Sequence, residues 1–423
     1  MKNKLTTRAI VAAAIGNALE WYDFSVFAFF ASYIAHNFFI DGDGTSALFS
    51  AFLLFGVGFI ARPLGALFLG SYGDRAGRKA ALTLTILLMA VGTLIIAIAP
   101  PIWFIGIGAP ILLLIARLLQ GFSTGGEIGG AAAFLIEYAP KEKKGVYSSW
   151  LQASMGISNI LAALAGILIT YFFSEKEILD WAWRLAFVFG LLIIPVGLYI
   201  RKTLDETPEF QDQIKKDPSK IKHHRPLFDL FKRYPRQLVE GILFSILWTS
   251  SVYTLIIYMP TYYTSSVVGL GFSKSESFSA SFIGNIFMVI GCVVAGKLAD
   301  KFGIKKILQI SIVVMLVAIF PLLYWLHATP SFEHLILIHT FFCLCVAFFV
   351  GVAPVALAIL YPVAIRSSGM AISYNTAAIF FAGFTPALMT WATQYSVYAP
   401  AYYLAFCCVL AFASVIFMFK EKK

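Results

Sequence analysis

The chain alternates between long apolar runs and short polar connections, and this alternation sets the architecture. Twelve runs cover residues 8–35, 46–70, 80–99, 108–138, 145–172, 182–203, 236–263, 275–297, 304–326, 333–361, 367–395 and 399–420. Each is close to or above the roughly 20 residues that carry a helix across a bilayer. The one long polar stretch, "LDETPEFQDQIKKDPSKIKHHRPLFDLFKRYP" at 204–235, falls between the sixth and seventh runs. The pattern therefore predicts a six-helix bundle over 1–203, a central loop over 204–235 and a second six-helix bundle over 236–423.

A repeat supports that division. "GSYGDRAGRK" begins at Gly70 and "GKLADKFGIKK" at Gly296, so Gly70, Asp74, Arg75, Gly77 and Lys79 match Gly296, Asp300, Lys301, Gly303 and Lys305. Each copy sits between the second and third helix of its half, so the two halves are parallel repeats of one another. The expected fold is an all-α membrane protein: twelve transmembrane helices in two six-helix pseudo-repeats, with a cavity between them.

Composition narrows the picture further. Hydrophobic residues make up 60% of the 423 and charged residues only 13%, against roughly a quarter charged in soluble domains. The net charge of +10 does not point to nucleic acid, because the basic residues recur in clusters between apolar runs. Lys2, Lys4, Arg8, Arg75, Arg78, Lys79, Lys141, Lys143, Lys144, the central loop, Lys301, Lys305, Lys306, Arg366 and the Lys420–Lys423 tail fall on one set of connections. The alternate set holds Lys176 and Lys274, with Arg184 at a helix start. The positive-inside bias then places both termini and the central loop in the cytoplasm. The basic start leads straight into membrane sequence containing Glu20 and Asp23, which reads as a retained first helix and not a cleaved signal.

The expected chemistry lies in the charged residues inside these runs. "GNALEWYDF" carries Glu20 and Asp23 one turn apart, with Trp21 and Tyr22 between them, and an intramembrane carboxylate costs a few kcal/mol. In "ARLLQGFSTGGEIGG", Arg117, Gln120, Thr124 and Glu127 form one helical stripe beside a ridge of Gly121, Gly125 and Gly129. Two readings stand side by side: an ion pair that holds the bundle together, or a relay in which Asp23, Glu20, Arg117 and Glu127 exchange partners on protonation. Asp23 is the first choice for the titrating group. Arg117 is the one clearly deep base, with Arg62 placed nearer the cytoplasmic end of its helix. Gln152 and Asn159 on the fifth helix, Trp248 and Tyr253 on the seventh, and Tyr374 and Asn375 on the eleventh complete the expected cavity lining, together with Gln120, Trp21 and Tyr22. Aromatic residues there either pack or hold a cationic group.

The repeats supply a candidate cytoplasmic gate: Asp74, Arg75 and Arg78 with Glu137, and Asp300 in the second half. Five cysteines in apolar segments read as packing residues, and neither the Cys343–Cys345 pair nor His223–His224 makes a metal site. No phosphate-binding GxxxxGK[ST] loop and no nucleophile–base constellation is present, which argues against an ATP-driven pump or an enzyme.

These motifs resemble those of the major facilitator superfamily and, within it, the metabolite:proton symporters, over nearly the whole chain. "GDRAGRK" is similar to the superfamily signature, and "GNALEWYDF", "RPLGALFLGSYGDRAGRK", "RLLQGFSTGGEIGG", "WAWRLAFVFG" and "RKTLDETPEF" are similar to the subfamily's own markers. The resemblance implies proton-driven uptake of a small solute across a bacterial inner membrane by alternating access. It also implies a latch role for Asp74 and Arg78. The proton is the coupling ion and no cofactor is expected; the partners are the solute and the bilayer, and the chain is expected to be monomeric. Family members carry proline and betaine, citrate, α-ketoglutarate or shikimate. A zwitterionic osmolyte or amino acid is the first expectation, a di- or tricarboxylate the alternative, and a non-transporting sensor the second alternative. Two departures stand out: Ile304 replaces the arginine of a stronger second signature, and the chain ends without the long C-terminal extension of some osmosensing carriers.

Overall fold

A computed structural model describes residues 17–18, 21–40, 44–76, 78–125, 131–132, 135–136, 139–203, 226–362 and 365–419. The described chain is helical almost throughout. Helix α1 runs over 21–29 and, past a turn at Phe30, over Ala31–Phe38. Then follow α2 (Thr45–Ala76), α3 (Arg78–Ile98), α4 (Gly108–Thr124), α5 (Lys144–Phe172) and α6 (Arg184–Thr203). Helix α7 is Pro235–Val252, continued by a π turn at Tyr253–Tyr258 into Met259–Thr264. Next come α8 (Lys274–Phe302), α9 (Ile304–Ala328) and α10, which breaks at Gly351 and Val352 between Phe332–Val350 and Ala353–Ile359. Helix α11 joins Arg366–Ala378 to Thr385–Ala392 through another π turn, Ile379–Gly383, and α12 is Ala399–Met418.

Seven of the described helical spans are long and apolar enough to cross a membrane, and Thr83–Ile98 and Gly108–Thr124 are shorter apolar helices. From the second run onward the helix starts agree closely with the apolar runs, with two informative differences; the start of the first run, at residue 8, lies outside the described residues. Helix α2 does not stop near residue 70 but continues through the first repeat to Ala76. The polar stretch 204–235 contains a helix, Pro226–Arg233, while 204–225 lies outside the described residues.

Glycine sets the closest helix contacts. A Cβ on Gly121 would lie 1.7 Å from the Gly58 carbonyl oxygen, one on Gly125 would lie 1.9 Å from that of Arg62, and one on Gly65 would lie 1.8 Å from that of Phe122. Helices α2 and α4 therefore touch backbone to backbone, which lipid-embedded helices achieve through small residues. The ridge of Gly121 and Gly125 is the α4 side of this contact; Gly129 lies outside the described residues.

The first six helices meet the last six most extensively along α5 and α8. Gly145 and Gly296 approach at one end, Gly156 packs on Val289 near the middle, and Gly166 packs on Phe278 toward the other. At that far end Phe278 also stacks on Phe30 at 5.6 Å between ring centroids, and Lys274 Nζ sits 5.8 Å from the Tyr33 ring. All five cysteines are buried and free, and no group of three metal-ligating side chains occurs among the described residues.

Because the α2–α4 contact leaves no room for a methyl group, Gly121→Ala should lower stability by about 2 kcal/mol or more. Thermal unfolding in detergent checks this, with Gly108→Ala as the control, since the nearest atom there is 3.6 Å from the added carbon.

Candidate functional site

The site is built from helices of both halves around a buried chain of hydrogen bonds. Arg117 on α4 donates from one guanidinium nitrogen to Gln120 Oε1 at 2.7 Å. Gln120 Nε2 donates to Thr93 Oγ1 on α3 at 3.1 Å. The Thr93 hydroxyl is hydrogen-bonded to Asp23 Oδ2 on α1 and lies 3.0 Å from the Met89 carbonyl oxygen, its second acceptor. Asp23 and Arg117 are thus linked through two neutral side chains. Asp23 Oδ1 has no partner, and Gly190 on α6 makes room for it: a Cβ there would come within 2.8 Å of that oxygen.

Arg117 and Arg62 share an aromatic cage, and neither is exposed to any degree (0% each). The Arg117 guanidinium carbon lies 4.5, 4.6 and 4.7 Å from the ring centroids of Phe24, Phe27 and Phe55. That of Arg62 lies 3.8 Å from Phe59, 4.8 Å from Phe24 and 5.8 Å from Trp21. Two cations lying against the same Phe24 ring repel each other. The sequence places Arg62 near a helix end. Residue 62 does lie toward that end of the apolar span Thr45–Leu69, but its side chain is wholly buried among the helices.

The other expected lining residues divide into two groups. Trp21 faces the site: its Nε1 donates to Asn17 Oδ1 at 3.2 Å and its ring lies 6.1 Å from Tyr253, which also packs on Phe55 and Phe59. Trp248 donates from Nε1 to Gln152 Oε1 at 3.3 Å and meets Tyr374 edge-on at 4.9 Å, joining α7, α5 and α11. Asn159 accepts from Ser25 Oγ at 2.5 Å and donates to Asn285 Oδ1 on α8 at 3.1 Å. Asn375 donates to the Gly125 carbonyl oxygen at 3.1 Å, and its own Oδ1 is unpartnered. Tyr22 turns away, donating to the Ala186 carbonyl oxygen on α6 at 2.9 Å. Thr124 bonds back to the Gln120 carbonyl oxygen. Glu20, Glu127 and Glu137 lie outside the described residues, as do the side chains of Asp74, Arg75 and Arg78.

Several participants carry no clear mark in the sequence. Thr93, Asn17, Ser25, Ser154 and Asn285 look like isolated polar residues in apolar helices. Asn17 Nδ2 nevertheless donates to Ser154 Oγ at 2.8 Å and to the Leu151 carbonyl oxygen at 3.0 Å, tying α1 to α5. Their common signal is a small polar residue on the buried face of a membrane helix.

At the basic end of the bundle, Asp300 in the last turn of α8 accepts from the backbone N–H groups of Gly145 (2.7 Å) and Val146 (3.0 Å) at the start of α5. A carboxylate against a helix N-terminus is favourable both as a hydrogen-bond acceptor and as a charge. This contact joins the last six helices to the first six, beside a cleft of about 360 Å³ lined by Glu142, Lys144, Val355 and Arg366 among others.

The sequence and the fold have close counterparts among known proteins. The family model described as Major Facilitator Superfamily matches residues 13–385. A citrate-proton symporter of Klebsiella pneumoniae is 32% identical over 98% of this chain and 92% of its own length. A proline/betaine transporter of Escherichia coli K12 is 34% identical over 94% of this chain and 80% of its own. Among solved structures, the proton:xylose symporter XylE bound to 6-bromo-6-deoxy-D-glucose superposes with a TM-score of 0.79 at 18% identity, covering 99% of this chain and 96% of that one. This last likeness bears on the fold alone.

Asp300→Asn removes the charge and one of the two acceptors at the α5 N-terminus. Spin labels at 142 and 305, both exposed positions, should report a shift toward longer distances in this variant. An unchanged distribution would mean that the contact does not hold the basic end closed.

Proposed function

Because the chain belongs to the major facilitator superfamily, we propose that it is a proton-coupled symporter importing a small polar organic solute by alternating access. The observation that carries this reading is the buried Asp23–Thr93–Gln120–Arg117 chain. It connects a protonatable group to a cation through side chains that must rearrange when the proton arrives.

The rearrangement follows from the capacity of one hydroxyl. A threonine hydroxyl donates one hydrogen and accepts two. With Asp23 ionised, Thr93 accepts from Gln120 and donates to Asp23. With Asp23 protonated, the carboxyl becomes the donor to Thr93, which then passes its hydrogen to the Met89 carbonyl oxygen already within reach. Thr93 is fully satisfied in that state, and Arg117 has lost the negative charge opposite it. A carboxylate-bearing solute is then drawn to the guanidinium, so proton binding strengthens solute binding and, by linkage, the reverse.

The solute carries at least one carboxylate, a feature common to citrate and to proline or betaine, which the relatives of known name carry. The zwitterion reading draws on Trp21, Tyr253, Trp248 and Tyr374, whose faces suit a quaternary ammonium. Residues 1–203 and 236–423 form the two rocking bundles, joined by 204–235. The positive-inside bias puts both termini in the cytoplasm of a bacterial cell, with the monomer in the inner membrane.

Proteoliposomes holding a pH dye test the coupling: citrate, α-ketoglutarate, betaine and proline are added in turn, and lumenal acidification is expected with at least one. Silence with all four would overturn the proton-symport reading. Asp23→Asn should abolish proton-driven accumulation yet retain solute exchange. Thr93→Val, which keeps the shape and removes the hydroxyl, should cut proton-driven uptake by about tenfold or more with a smaller effect on exchange. Equal loss of both activities would reduce Thr93 to a packing role.

A further inference from the structure

The cage around Phe24 holds more donors than the coupling chain uses. Arg62 is completely buried, and its Nε and both terminal nitrogens make no hydrogen bond of good geometry, the Tyr253 hydroxyl being the neutral polar group beside them. Arg117 spends one terminal nitrogen on Gln120, leaving Nε and the other terminal nitrogen without a partner. Aromatic rings lie against both guanidiniums. Ring faces stabilise the charge of a guanidinium but accept little from its N–H edge, and carboxylates bind along that edge, often in a bidentate fork.

The charge balance points the same way. Asp23 is the one buried carboxylate among the described residues of this region, and Thr93 already engages it. Among the described residues the cage therefore carries two positive charges against one negative, and protonation of Asp23 leaves two against none. A zwitterion would bring a further positive group beside these two. A solute with two carboxylates would supply one acceptor group for each free guanidinium edge. Both guanidinium carbons lie within 5 Å of the same Phe24 ring centroid, at 4.8 and 4.5 Å, so one small molecule spans them.

We propose that Arg62 is a solute-binding residue and that Arg62 and Arg117 together clamp a solute bearing two carboxylates. This rests on the symport reading above and narrows its solute. Arg62 selects the second carboxylate, and Arg117 holds the first and connects it to Asp23.

Binding to the purified protein and transport by the reconstituted one separate the two ideas. Quenching of tryptophan fluorescence gives Kd for α-ketoglutarate, citrate, betaine and proline, and the pH dye gives coupling. The expected result is that α-ketoglutarate or citrate binds more tightly than betaine or proline and acidifies the lumen. Arg62→Gln should then weaken carboxylate binding by about tenfold or more. Arg62→Lys, which keeps the charge but loses the planar fork, should weaken it by about threefold or more; if Arg62→Gln fails to fold, this variant decides. Acidification with betaine or proline alone would overturn the two-carboxylate clamp while leaving proton symport standing. Carboxylate affinity within twofold of wild type in the folded variants would overturn the role of Arg62. Absence of acidification with every solute would remove the symport reading on which the clamp rests.

Discussion

Two guanidiniums and a carboxylate buried in one aromatic cage are the constraint on which the rest of this structure depends. Removing such charges from water costs several kcal/mol each even after relaxation, and no direct Asp23–Arg117 bridge offsets it. The chain offsets the cost piecemeal. Rings of Phe24, Phe27, Phe55 and Phe59 cover the cations, and Thr93 and Gln120 carry polarity from the acid to the base. An indirect link of this kind suits coupling better than a tight ion pair. A salt bridge would hold the proton off Asp23 and occupy the guanidinium edge that a solute carboxylate needs.

The glycine ridge explains how the two arginines come together despite their repulsion. Gly125 packs on the carbonyl of Arg62 itself, and a Cβ on Gly58 would lie 3.0 Å from the carbonyl oxygen of Arg117. The positions at which α2 and α4 touch backbone to backbone are thus the positions from which the cations project. Helix register at this contact and charge placement in the cage are one geometric fact. A shift of α2 along α4 would move Arg62 relative to Arg117, and a separation of the helices would admit lipid or water beside them.

Much of this was legible in the sequence, for identifiable reasons. Intramembrane charge is costly enough that Asp23 and Arg117 stood out, and the i, i+4 glycine spacing marked the packing face of α4. The repeat at Gly70 and Gly296 located Asp300, whose contact with the α5 N-terminus joins the two sets of helices. Arg62 does lie toward the repeat end of its apolar span, as the sequence implies, but its complete burial was not legible, because it depends on the packing of α4 and α1 against α2. Thr93 was invisible because a threonine in an apolar helix ordinarily bonds back to its own backbone. Only the packing of α3 against α1 and α4 shows that its hydroxyl has a second acceptor. Tyr22, adjacent to two site residues, turns to Ala186 because neighbouring positions on a helix point about 100° apart.

The two sets of helices contribute unlike chemistry to one site, and the difference has a mechanical side. The first six supply the described charges, Asp23, Arg62 and Arg117, and are locked by backbone contacts at α2 and α4. The last six supply uncharged groups, Trp248, Tyr253, Tyr374 and Asn375, from α7 and α11, the helices that carry π turns at Tyr253–Tyr258 and Ile379–Gly383. A π turn misaligns the hydrogen-bond ladder locally and marks where a helix bends. Charges need fixed neighbours, because every ångström of misplacement in low dielectric is costly. Aromatic and amide groups tolerate movement, since their contacts are weaker and less directional. In the proposed symport cycle, the backbone-locked α2–α4 pair would therefore keep the charges in register while α7 and α11 bend at their π turns.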